Sequence, residues 1–184
     1  MYRFPQQTGP LKVLAAAHCV LVVLDVENLH YSARDLGFRL NFSDMSKLIL
    51  AANPSSALHA VLSVVGAMAE QTRAQAAAAG WIGHMRPIIT SGFQRGANAD
   101  NIFAFVVGHT VALTRPDFVV IGTGDGALGL DIARKIREVE PECRSIATLS
   151  FAHSTSVLLR AEHADEIDQN IFIGSDVLHA VRQA

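Results

Sequence analysis

Five consecutive aliphatic residues, Val20 to Leu24, run straight into Asp25. A strand with one wet face alternates apolar and polar side chains, so an unbroken run of this length reads as a strand covered on both faces. Parallel strands joined by helical crossovers are covered in this way, which points to an α/β layering. Asp25 then stands at the carboxyl end of a buried parallel strand, where open α/β sheets form a crevice for ligands. The same aspartate can simply cap the helix that follows, and that reading stands beside the functional one.

The rest of the chain repeats the alternation. Further strands are expected over 58–65, 86–90, 118–122 and 144–149, with a short closing strand within 166–173. Helices are expected over 29–36, from Ser43 as N-cap to Asn53-Pro54, and over 67–79, 98–110, 127–139 and 154–162. In the 98–110 helix, Ile102, Phe103, Phe105, Val106 and Val107 are the expected core residues. Residues 91–96, Ser-Gly-Phe-Gln-Arg-Gly, read as a polar loop whose glycines allow close approach to a ligand. Residues 1–11 read as a flexible arm and 12–184 as a single doubly wound α/β domain with helices on both faces of a parallel sheet.

Composition narrows the partners. Half of the 184 residues are hydrophobic and 17% are charged, as in a packed globule and not a disordered chain. The formal net charge is −2, so a nucleic-acid partner would need a local basic patch or metal ions. Cys19 and Cys143 both read as buried free thiols, which suits a reducing, cytoplasmic compartment. The apolar residues 13–24 are too few to span a membrane and lead into Asp25 without a cleavage site, so no membrane role is expected.

A second strand ends as the first does, with Ile121-Gly122-Thr123-Gly124-Asp125. If the two strands are neighbours, Asp25 and Asp125 converge, and Asp100 in the first turn of a helix can supply a third carboxylate. Three carboxylates in one crevice repel unless a cation neutralises them, and hard oxygen donors select Mg²⁺ or Mn²⁺. Gly124-Asp125-Gly126 by itself is no more than a turn signal. No phosphate-binding glycine motif and no nucleophile elbow is present. His30, the singly placed other histidines and Tyr31 read most simply as solvent or packing residues. Arg34, Lys47 and Arg95 are candidate phosphate contacts, while Arg134, Lys135 and Arg137 read as a solvated face.

Four short segments together resemble the NYN domains, PIN-like ribonuclease relatives that include the LabA-like proteins. Leu24-Asp25-Val26-Glu27-Asn28-Leu29 resembles their opening motif, and Gly96-Ala97-Asn98-Ala99-Asp100 their second. Thr123-Gly124-Asp125-Gly126 resembles the third, and Ser154 to Leu158 with Ala164-Asp165 the last. The resemblance covers about residues 20–173. It implies a PIN-like sheet of order 3-2-1-4-5 and metal-dependent cleavage of RNA, single-stranded in particular. It also implies that Asp25, Asp100 and Asp125 hold Mg²⁺ or Mn²⁺ and carry catalysis. Asn28, Thr123 and Arg95 would orient or bind the substrate. The chain departs from the family where Ala127 and Val106 stand at often acidic positions and where the lysine of the second motif is missing. Glu27 is expected to alternate away from Asp25, and Asp131 lies a turn beyond Ala127.

The leading expectation is a divalent-metal-dependent ribonuclease. The alternative is a catalytically weak or inactive relative that binds RNA or a protein partner. A phosphatase of another α/β fold is disfavoured, since no Asp-x-Asp follows the first strand. Self-association into a homo-oligomer is left open.

Overall fold

In a computed structural model, residues 5–64, 68–87, 89–91, 94–96 and 100–180 are described. β1 (Val20–Asp25) lies inside a six-stranded parallel sheet with β3 (Ala57–Val64) on one side and β7 (Phe118–Gly122) on the other. β4 (Ile82–Pro87) extends the sheet beyond β3, and β8 (Ser145–Ser150) and β9 (Gln169–Phe172) extend it beyond β7. The order β4-β3-β1-β7-β8-β9 differs from the five-strand 3-2-1-4-5 arrangement. β9 adds a sixth strand, and the strand expected at Arg86 begins at Ile82.

The buried runs work as their composition implies. Val20, Val22 and Leu24 face one core layer with residues of α1 (Val26–Arg34) and α2 (Phe42–Ala52), among them Leu29, Met45 and Ile49. Leu21 and Val23 face the other layer, packed with Phe103 and Val107 of α4 (Asp100–Thr114) and with Ile132 and Ile136 of α5 (Gly126–Val139). Each such side chain stabilises the fold by roughly 1.5–3 kcal/mol. β1 and β7 meet closely at Gly122: a Cβ there would stand 2.3 Å from Leu24 Cδ2 and 3.1 Å from Leu24 Cα.

Capping shifts the expected helix starts. α1 begins at Val26, not at 29, because Asp25 accepts from the Asn28 N–H. α2 is capped by Asn41, whose Oδ1 accepts from the N–H groups of Ser43 and Asp44 at 3.0 and 3.1 Å, not by Ser43. α3 (Ala69–Ala78) lies beside β4.

Several expectations need correction. In the loop expected over 91–96, Ser91 and Gln94–Gly96 are strand residues, since β5 (Ile89–Ser91) pairs antiparallel with β6 (Gln94–Gly96), while 92–93 lie outside the described residues. The tail carries β10 (Leu178–Ala180), which pairs with the unexpected β2 (Phe38–Leu40). The expected arm is held already at Pro5, whose carbonyl accepts from Ser175 N–H at 2.9 Å, and again at Thr8, whose backbone N–H and Oγ1 donate to Asp176 at 2.7–3.0 Å, while Gly9 bridges to Phe172. Residues 154–162 form turns and one 3₁₀ turn, Val157–Leu159, in place of a helix. Asn170 holds that segment, donating to Leu159 O and accepting from Ala161 N–H at 2.7 and 2.9 Å, which satisfies backbone groups a helix would otherwise pair. Phe105 is exposed, and Cys19 is half-buried while Cys143 is buried; both thiols are free. Among the described residues, no helix is long and apolar enough to cross a membrane.

Candidate active site at the carboxyl end of the sheet

The pairing of β1 with β7 brings the ends of both strands together, as the matching sequences led one to expect. Asp25 is 6% exposed at the end of β1. Its Oδ1 accepts from Asn28 N–H at 3.2 Å. Its Oδ2 faces Thr123 Oγ1, which lies at the long limit of hydrogen bonding, 3.5 Å. The same Thr123 hydroxyl accepts from Asp125 N–H at 3.2 Å, and Asn28 Oδ1 accepts from Gly124 N–H at 2.8 Å. Two side chains thus tie the start of α1 to the turn after β7. The turn is tight against its neighbours. A Cβ at Gly124 would come within 2.8 Å of Ser154 O, and one at Gly126 within 2.2 Å of Ser156 Oγ.

Burial pushes the Asp25 carboxyl up to about 6, opposed by the Asn28 N–H and reinforced by the charges of Asp100, Glu27 and Asp125. With an ordinary value of 3.8, the ionised carboxylate costs about 3 kcal/mol at neutral pH. The folded chain binds this proton more tightly than the unfolded chain. Stability from this group is therefore greatest below pH 4, falls as pH rises through about 6, and is level above. A capping residue needs no such burial, so the expense sets Asp25 apart from an ordinary cap.

Asp125 is exposed and caps α5, its Oδ1 accepting from Leu128 N–H at 3.2 Å. Asp100 is exposed at the first residue of α4. The segment before it, residues 97–99, lies outside the described residues, as does the side chain of Arg95; its backbone belongs to β6. Among the described residues, no three His, Cys, Asp or Glu side chains stand together as a metal cage. The side-chain charges that act on Asp25 are all carboxylates, which suits a hard cation. Mg²⁺ keeps most of its water and takes only one or two protein carboxylates, so a closed cage is not required of such a site.

No protein-family model matches the chain, and no curated protein matches it. The chain is similar to a crystal structure of a protein of unknown function from Vibrio parahaemolyticus, with 16% identity and a TM-score of 0.70. The match covers 89% of this chain and 97% of that one. At that identity the likeness is one of fold alone.

Other expected residues fall outside the crevice or differ from their reading. Glu27 lies in the first turn of α1, not on a strand, and its charge bears on Asp25. It lines a cavity of about 160 Å³ with Val26, His30, Tyr31, Leu62 and Ser63. Val106 is buried in the α4 core layer, so an acid there would not reach the site; Ala127 is exposed beside Asp125. Asp131 pairs with Arg134, and Arg34 lies 4.6 Å over the Tyr31 ring. Arg137 is not merely solvated, since it donates to Asp168 at 2.6 Å and to Cys143 O at 2.9 Å.

Two features escaped the sequence. Among the described residues, Ser63 Oγ and Arg86 Nε are buried donors without hydrogen-bond partners, at paired positions of β3 and β4, two residues beyond the residue that pairs with Asp25. His59 Nδ1 and His84 Nε2 lie 2.9 Å apart, so these histidines are paired and not single; burial pushes His59 down to about 4. Both arrangements join residues more than twenty positions apart. Pairing of β3 with β4 was the only signal for either, and it required the start of β4 to be placed correctly.

Proposed function

We propose that this chain is a divalent-metal-dependent ribonuclease of the NYN, PIN-like type, hydrolysing RNA phosphodiester bonds at the crevice of Asp25. The observation that carries this reading is the buried Asp25 carboxylate, ionised at neutral pH against its burial and against three neighbouring acids. Asp25, Asp100 and Asp125 would hold Mg²⁺ or Mn²⁺ as a hydrated ion whose remaining positions are filled by water. When bound, the ion supplies charge neutralisation at the phosphate and a water of lowered pKa. Asn28 and Thr123 fix the orientation of the strand ends, so the carboxylates stay aimed into the crevice. Arg95 is proposed as a phosphate contact. A cytoplasmic setting belongs to the same proposal and is supported by the two free thiols.

A second reading, an RNA- or protein-binding relative without catalysis, is favoured by the lack of a three-ligand cage among the described residues and by Ala127. One experiment separates them. Purified protein is incubated with single-stranded RNA over a Mn²⁺ series, and cleavage and binding are read in parallel. The ribonuclease reading expects Mn²⁺-dependent cleavage that Asp25→Asn removes while RNA binding persists, because losing a negative charge reduces repulsion with phosphate. Binding without cleavage at any Mn²⁺ concentration, in wild type and in Ala127→Asp, rejects the nuclease and leaves the binding module.

A further inference from the structure

Helix α4 is apolar on both its sides. Phe103, Val106, Val107 and Val111 face the core, yet its solvent side carries Ala104, Phe105, Gly108, His109, Ala112 and Leu113. No formal charge lies on that side from Ile102 to Thr114. A helix that is apolar all round is normally covered. Here Phe105 is 66% and Leu113 71% exposed, and the His109 ring stacks on Phe105 at 5.6 Å. Beside this ridge runs a groove of about 530 Å³ between α4 and α5. Its α4 wall is Ala104, Gly108 and Ala112, one helical turn apart, and its α5 wall includes Leu128, Ile132 and Val139, the last 63% exposed. The two charged side chains in its lining are Asp131 and Lys135.

We propose that this face is the interface of a homodimer in which α4 and α5 of two copies pack about a two-fold axis. The occupant is argued from self-complementarity. In antiparallel packing about a two-fold axis the uncharged ridge, Phe105 to Leu113, meets its own copy, so each covers the apolar surface the other leaves exposed. The charges agree. Where two α5 helices lie antiparallel and centred at the level of Ala133, which itself faces the core, Asp131 of each copy meets Lys135 of the other, giving two opposite-charge pairs from one residue pair. The present partners of these side chains, Arg134 at 3.9 Å from Asp131 and Glu138 at 2.5 Å from Lys135, form exposed pairs that contribute little and are readily exchanged. An apolar centre with few charges at its rim is the usual composition of a homodimer contact. The inference is independent of the proposed activity. If both hold, the dimer clamps the helix whose first turn carries Asp100 and the helix that Asp125 caps.

Sedimentation velocity on the full chain from about 1 to 100 μM tests this. Wild type is expected at the mass of two copies. Gly108→Glu and Leu113→Glu should be monomeric with unchanged circular dichroism, since Leu113 is exposed and a Cβ at Gly108 meets nothing within 4 Å, and their melting should no longer depend on protein concentration. Asp131→Lys and Lys135→Asp should each weaken association about tenfold or more through like-charge contacts, and the double exchange should restore it. A wild-type monomer throughout that range overturns the proposal, whether or not the groove then binds a fluorescent long-chain acyl probe. A dimer that survives Gly108→Glu and Leu113→Glu overturns it as well.

Discussion

Asp25 and Asp125 end adjacent strands of one sheet and cap the helices that follow, each accepting an N–H three residues on at 3.2 Å. Their local chemistry is the same and their surroundings are not. Asp125 is exposed, whereas Asp25 is shut in by Val61 of β3, by Thr123 just after β7 and by the start of α1. Capping therefore accounts for Asp125 without remainder. Capping does not account for Asp25, because an exposed cap would do as well without the expense of burying a charge. A carboxylate kept ionised where it is disfavoured is the mark of a site in which a cation or a proton is handled.

The largest expected effect is on cleavage. Asp25→Asn should lower Mn²⁺-dependent RNA hydrolysis by orders of magnitude, measured as initial rates on a labelled single strand, since several kcal/mol of transition-state stabilisation goes with the ligand. Equal rates in wild type and variant would remove Asp25 from the chemistry and reduce it to a cap.

Stability should move in the opposite direction. Asparagine caps helices as well as aspartate, so Asp25→Asn keeps the cap and removes the buried charge. Urea unfolding at pH 7 should show it more stable than wild type by up to about 3 kcal/mol, while Asp125→Asn should stay within about 0.5 kcal/mol. If both substitutions are neutral, the contrast between the two aspartates fails.

The same contrast should appear in pH dependence. Wild-type stability should fall as pH rises from about 4 to about 6, because the folded state holds the Asp25 proton more tightly. Asp25→Asn should lack that component and Asp125→Asn should retain it. Melting curves at stepped pH in the three proteins would measure the difference.

A smaller effect is expected from metal alone. Millimolar Mn²⁺ should raise the wild-type melting temperature by mass action, and Asp125→Asn should abolish most of the rise. Ala127 is exposed in the first turn of α5, so Ala127→Asp should lower the Mn²⁺ concentration at which the rise appears. An unchanged melting curve at millimolar Mn²⁺ in all three would favour the binding module.

Much of this architecture was legible in the residues. The runs Val20–Leu24 and Phe118–Ile121 lack polar interruptions because helices cover both faces, and that made them readable as parallel strands. The aspartates that end them were readable for the same reason. Helix starts were less so, because a cap is a choice among nearby polar side chains. Asn41 and Ser43 are equally suited in sequence, and the chain's entry direction selects Asn41. The face of α4 was illegible, since a helix apolar all round has no periodicity to read, and Phe105 was assigned to the core on composition alone.

The sequence by itself determined the layering and the placement of carboxylates at strand ends, because both follow from local pattern and from the period of a strand. The tertiary structure decided which carboxylate carries a perturbed charge. The elevation of Asp25 is a sum of burial and of charges from Asp100, Glu27 and Asp125, groups that lie on three different helices and strand ends. The juxtaposition of Ser63 and Arg86 likewise depends on the register of β3 with β4. Long-range pairing sets such sums, and no window of neighbouring residues contains them.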